Sequence, residues 1–282
     1  MRTDRAGLRL TDRAKSTVFN ARKESAKLKF AKLYKIITAG ILAMSSPALA
    51  EPTEVVVRVI SQDAKFVGDQ MGGARVVLRD AETGEVLADG ITTGGTGNTK
   101  QIMDSTGRSP MLATPDAAAF TTQLDLSQPT LITAEVVGPL AQMQASIRVT
   151  SQRWIVPGQP VTSGDGWVVE LPGLAVNIIA PQPNTHSAKG SRTIEVMSST
   201  MLMCGCPITS GGLWDAKDYE VEVAAYQAGR KIASGKLDFV EAPGRFGGDL
   251  TLPEKGAYEL FVSARNTRTG NTGVDRTSVI VP

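Results

Sequence analysis

From residue 54 onward, apolar and polar side chains alternate with the two-residue period of a half-buried strand. Val55, Val57 and Val59 share one parity, with Val56, Arg58 and Ile60 on the other. Ala74 to Arg79 forms a second short run, Asp80-Ala81-Glu82-Thr83-Gly84 supplies a turn, and Glu85 to Ala88 leads out of it toward Gly90-Ile91-Thr92-Thr93. Two β runs around a turn containing Asp and Gly predict a hairpin. The pattern lapses between Asn98 and Ala118, a polar stretch with Pro110 and Pro115, which reads as a long mobile loop. Strand character returns at 120–124, 130–137, 145–149, 154–156, 167–171 and 174–179. Pro181-Gln182-Pro183-Asn184 and the small polar residues Ser187 to Ser191 then read as a linker, with a boundary near residue 186.

The C-terminal part is more regular. Tyr219, Val221, Val223 and Ala225 alternate with Glu220 and Glu222, and Ala228-Gly229-Arg230 turns the chain into a partner run from Lys231 to Phe239. Further runs carry Phe246, Leu250 and Leu252, then Tyr258, Leu260, Val262 and Ala264, then Val274 to Val281. Short strands at regular spacing in under about a hundred residues predict an immunoglobulin-like sandwich, without the Cys…Trp…Cys spacing of an antibody domain.

Ahead of the strands, residues 1–35 are rich in Arg and Lys. A short apolar run from Ile36 to Met44 follows, then Ser45-Ser46-Pro47-Ala48-Leu49-Ala50 before Glu51. A basic region, a short apolar core and an A-x-A site have the form of a cleaved secretory signal peptide, too short to span a bilayer. The expectation is an all-β chain of two tandem β-sandwich domains after that leader: 1–50 signal peptide, 51–186 and 187–282 sandwiches. It would be periplasmic or secreted, with no integral membrane segment in the mature chain. The leader also changes the charge balance. It carries 11 of the 30 basic and 3 of the 28 acidic residues, leaving 19 basic against 25 acidic, a net of −6. A mildly acidic mature chain lacks the clustered cations that neutralise phosphates, which excludes nucleic acid as a partner.

The turn chemistry of the first domain resembles the carboxypeptidase-regulatory-like (transthyretin-like) β-sandwich family. The matching residues are Gly73-Ala74, Val76, Leu78, Asp80, Thr83-Gly84, Leu87-Ala88, Gly90 and Thr92. That family mainly supplies non-catalytic modules, so the resemblance implies architecture and no activity.

Candidate chemistry concentrates in Met201-Leu202-Met203-Cys204-Gly205-Cys206-Pro207, which holds both cysteines of the chain. Strand parity puts Leu202, Cys204 and Cys206 on one face and Met201 and Met203 on the other. In an extended strand the two cysteine Cα atoms would lie about 6.5–7 Å apart, at the limit for a disulfide, so a bond requires the chain to turn at Gly205. Three readings stay open. Thiolate and thioether select soft ions, so Cys204 and Cys206, with Met203, Met201 or His186, are candidate ligands for Cu(I). The pair is also a candidate redox disulfide. Buried cysteine and methionine are often inert core residues.

His186, the single histidine, reads by itself as a solvated linker residue. Trp214-Asp215-Ala216-Lys217-Asp218 reads as a turn placing an aromatic lid on a sandwich end. Gly94-Gly95-Thr96-Gly97-Asn98 reads as loop, because no helix or Lys-Ser/Thr is expected after it. With no nucleophile-elbow or zincin pattern, the chain reads as no enzyme. Two functional classes follow: a Cu(I)-holding accessory protein, or a metal-free interaction module with a protein partner in the cell envelope.

Overall fold

The computed structural model describes residues 50–282, and the signal peptide expected over residues 1–50 lies, Ala50 aside, outside them. The described chain is all-β. Its first strands are β1 (Glu51–Ser61), β2 (Arg75–Asp80), β3 (Val86–Ile91), β4 (Phe120–Leu126), β5 (Thr130–Gly138), β6 (Ile147–Ile155) and β7 (Trp167–Leu171). They form two sheets, β4-β1-β7 and β3-β2-β5-β6. β1 pairs antiparallel with β4 and parallel with β7. Val55, Val57 and Val59 point from one sheet, fully buried, into the core they share with Val76, Leu78, Ile132, Ala134 and Val136 of the other. The alternation in the sequence thus has the ordinary cause, one face removed from water.

The predicted hairpin is β2–β3. The Asp80 carboxylate accepts hydrogen bonds from the Glu82 and Thr83 amides, both at 2.8 Å, and Gly84 follows at φ +77°. Those bonds hold the Asp80 carboxyl below the usual carboxylate range, the Thr83 amide contributing most.

The stretch expected as a mobile loop is better ordered than its composition suggested. A one-turn helix, α1 (Thr99–Met103), is capped by Asn98, whose side chain accepts from the Gln101 amide. Ile102 packs with Phe66, Ala117 and Ala118 in a small core of its own. The Asp165 carboxylate then fastens the returning chain by accepting from the Leu112 and Ala113 amides. So a helix does follow Gly94-Asn98, but one of five residues.

The remaining strands are β8 (Leu174–Ala180), β9 (Thr185–His186), β10 (Thr193–Leu202), β11 (Tyr219–Gln227), β12 (Arg230–Phe239), β13 (Arg245–Thr251), β14 (Gly256–Asn266) and β15 (Thr272–Val281). They run in the order β8-β10-β13-β12-β11-β14-β15-β9. β12 is the corner, pairing with β11 along Arg230–Leu237 and with β13 through Asp238 and Phe239. The two parts fold face to face over Val196, Leu202, Val221, Val223, Phe246, Leu250, Tyr258, Leu260 and Val262.

The division at residue 186 does not follow the sheets. β8, assigned from sequence to the first sandwich, pairs antiparallel with β10 in the second. The stretch read as a linker contains β9, which pairs in parallel with the end of β15. The chain changes sheets at Pro172-Gly173, between β7 and β8. Among the described residues no helix is long and apolar enough to cross a membrane.

Candidate functional site

β10 runs into the sulfur stretch and ends there because the backbone reverses. The Gly205 amide donates to the Leu202 carbonyl at 2.8 Å, and the Leu202 amide donates to the Cys206 carbonyl at 3.2 Å. Gly205 takes φ +82°, a conformation costly for any residue with a Cβ. The reversal brings the Cα atoms of Cys204 and Cys206 to 5.5 Å, and the two form a disulfide. The turn anticipated at Gly205 is what makes the bond geometrically accessible.

The turn lies where the two sandwiches meet. Cys204, Cys206 and Leu202 are buried in the core of the second sandwich. Met203, 1% exposed, points the other way into the core of the first, and half-buried Met201 packs against that same core. Parity therefore sorted the sulfur atoms correctly, but the two faces of the strand belong to two different cores. The Gly205 carbonyl accepts from the Gln70 side-chain amide at 3.3 Å, and a Cβ at Gly205 would stand 3.0 Å from Met71 Cγ.

Further bonds knit the junction. The Trp214 indole N–H donates to the Asp63 carbonyl at 2.9 Å, the role of an aromatic lid anticipated for this turn, though it closes onto the neighbouring sandwich. Asn271 pairs with both backbone groups of Gly173, accepting from its amide at 2.6 Å and donating to its carbonyl at 3.0 Å. Gly173 is the changeover residue itself, at φ +119°, where a Cβ would fall 2.6 Å from Met203 Cε. Gln144 reaches across to the Val176 carbonyl, and Asp275 accepts from the Ile178 amide, so side chains satisfy the free edge of β8. A cleft of about 460 Å³ opens beside these groups, between Gln62, Ser146, Met203 and Thr269. Its Asn271 and Gln144 amides are already spent on the Gly173 and Val176 carbonyls.

The five expected metal ligands are not brought together. Cys204 and Cys206 are bonded to each other, Met203 and Met201 face the opposite core, and His186 lies exposed on β9. Soft-metal ligation needs deprotonated thiolates, which a disulfide does not offer. Among the described residues no three His, Cys, Asp or Glu side chains converge on one point.

Burial also perturbs an ionisable group at the junction. Tyr219, 6% exposed, has its phenol pushed above the ordinary range chiefly by burial; the Asn266 amide opposes the shift, and the Asp63 and Asp218 charges add to it. Gln70, Met71, Asp63, Asn271 and Gly173, the residues that knit the junction, carried no signal in the sequence beyond the turn-forming character of glycine and asparagine.

No protein-family model matches the chain, and no curated protein matches it in sequence. Solved structures do resemble it. One is the chicken interferon gamma receptor alpha chain, 10% identical, covering 83% of this chain and 99% of that one with a TM-score of 0.31. Another is the fibronectin(III)-like modules of Clostridium thermocellum CbhA, 13% identical over 84% and 92% of the two chains, TM-score 0.26. A third is an engineered protein, 16% identical over 45% of this chain, TM-score 0.29; this chain spans 24% of its length. At these scores the architecture rests on the strand pairings above.

Proposed function

We propose that the chain is a non-catalytic β-sandwich scaffold or interaction module whose sulfur turn is structural. The observation that supports this reading is the burial of the Cys204–Cys206 disulfide in the core of the second sandwich, with Met203 beside it seated in the core of the first. A turn placed in this way fixes one sandwich against the other and presents no donor to solvent. A site for an exchangeable soft ion would need the opposite, two accessible thiolates beside a thioether. The partner would be a protein of the cell envelope, met in the periplasm or outside the cell.

The competing reading is a Cu(I) site at Cys204 and Cys206, and a titration separates the two. The purified chain is equilibrated anaerobically with Cu(I), once as isolated and once after reduction. The scaffold reading predicts less than a tenth of an equivalent bound as isolated, on the order set by weak surface sites. One equivalent bound as isolated, and lost in Cys204→Ser, would restore the metal reading.

A further inference from the structure

We infer that the Cys204–Cys206 bond is a redox latch on the junction: it keeps the turn narrow enough for the two sandwiches to dock, and its reduction loosens that contact. The inference rests on the structural reading of the turn and adds a way of regulating it.

Space is the argument. Bonded sulfurs sit about 2 Å apart, whereas non-bonded heavy atoms need about 3.5–4 Å. After reduction the two sulfur atoms must separate by more than an ångström inside a close-packed region, where Cys204 is 0% and Cys206 5% exposed. On one side both cysteines pack in the second core with Leu202 and Ile208. On the other side the tip of the turn already touches the first sandwich, with Met71 Cγ and Sδ both 3.0 Å from a Cβ position at Gly205. Gln70 holds the Gly205 carbonyl as well. The widened turn must therefore push against Asp69–Met71, a short 3₁₀ turn kept in place by the Met71 and Gly72 amides donating to the Gly68 and Asp69 carbonyls, each at 3.0 Å. The covalent path between the sandwiches here is only Pro172-Gly173. The Trp214–Asp63 and Gln144–Val176 hydrogen bonds and the seat of Met203 in the first core hold the rest of the junction, so the displacement is confined to the turn and the segment it touches.

The chemistry is thiol–disulfide exchange with a dithiol. One dithiol sulfur, as thiolate, attacks Cys206, the less buried of the pair, breaking the disulfide and releasing Cys204 as a thiolate that takes up a proton. The second dithiol sulfur then closes on the mixed disulfide and frees the remaining cysteine. Two electrons pass to the protein, and the dithiol leaves as its cyclic disulfide. In the cell the reductant would be a protein dithiol.

The test is backbone hydrogen exchange of the whole chain, with and without dithiothreitol, alongside a thiol count. The expected result is two thiols released and exchange at Met71, Gly72 and Gly73 faster by about tenfold or more, while Val57 and Val223 in the central strands stay unchanged. The double variant Cys204→Ser/Cys206→Ser should reproduce this pattern without reductant; if it fails to fold, the wild-type comparison decides alone. Two thiols released with no change at Met71 to Gly73 would overturn the latch. So would a uniform rise across both sandwiches, or a bond that resists reduction until the chain is unfolded. Failure of the underlying reading looks different, because it shows as bound metal and not as silent exchange around an intact disulfide.

Discussion

If the sulfur turn joins two cores, the side chain that reaches into the first sandwich should carry a core-sized share of stability even though its neighbours in sequence belong to the second. Met203→Ala is the direct perturbation. It deletes three heavy atoms from a side chain that is 1% exposed and packs with the first core. Substitutions of this kind cost about 2–5 kcal/mol, from lost transfer energy plus the cavity left behind. The lower part of the range applies here, because Met203 also lines the 460 Å³ cleft, and a site open to a cleft relaxes more readily than a sealed one. The expected loss is therefore about 2–3 kcal/mol. For a chain of this size that corresponds to a fall in Tm of about 4–12 °C. Urea unfolding followed by tryptophan fluorescence measures it, since Trp167 is buried in the first sandwich and Trp214 sits at the junction. Met111→Ala is the control, at a methionine 60% exposed, and should change stability by less than about 0.5 kcal/mol. Equal losses in the two variants, or a Met203→Ala loss under about 0.5 kcal/mol, would refute the argument that the turn is wedged into a core.

Three further expectations follow from the same junction. Gly205→Ala should cost roughly 1–3 kcal/mol, because alanine at φ +82° pays the left-handed penalty and its Cβ meets Met71 and Gln70 at 3.0 and 3.1 Å; equilibrium unfolding of the oxidised chain reads it. Asn271→Ala should cost about 1–3 kcal/mol by leaving the amide and carbonyl of Gly173 without their partner, and proteolysis between β7 and β8 should become faster. Tyr219 gives a pH dependence. Its native pKa lies above the unfolded value of about 10, so the stability tied to the neutral phenol is complete below that pH and is lost as pH rises through the native pKa. Tyr219→Phe should flatten the alkaline limb of a stability profile, and an unchanged limb would assign it to other groups.

The β architecture was legible because each sandwich buries one face of most strands, and burial of one face is what alternation records. Val55, Val57 and Val59 are the clear case. β8 was misplaced for the same physical reason: Leu174, Ala175 and Val176 are all buried, so the run carries no parity to show which sheet it joins. The changeover at Pro172-Gly173 resembles an ordinary turn in sequence, whereas the Pro-rich stretch after β8 looked like a linker and leads directly into β9 of the eight-stranded sheet. α1 was missed because a single helical turn with one buried residue, Ile102, has no period to detect. At the site, the turn and the bond were legible from Gly205 between two cysteines. The partners were not. Gln70 is 135 residues from Gly205, and nothing local records a contact made by two sandwiches docking. The same gap explains the expected metal set: Met201, Met203 and His186 lie near the cysteines in sequence, but the fold sends them to another core and to an exposed edge.

The most direct test of the central claim is a thiol count on the purified chain under three conditions: native, unfolded without reductant, and unfolded after reduction. A buried disulfide at the junction predicts no reactive thiol in the first two and two in the third, one from Cys204 and one from Cys206. Two thiols already reactive in the unfolded, unreduced chain would mean that the bond is not there, and with it would go the account of the turn as a fixed wedge between the two sandwiches.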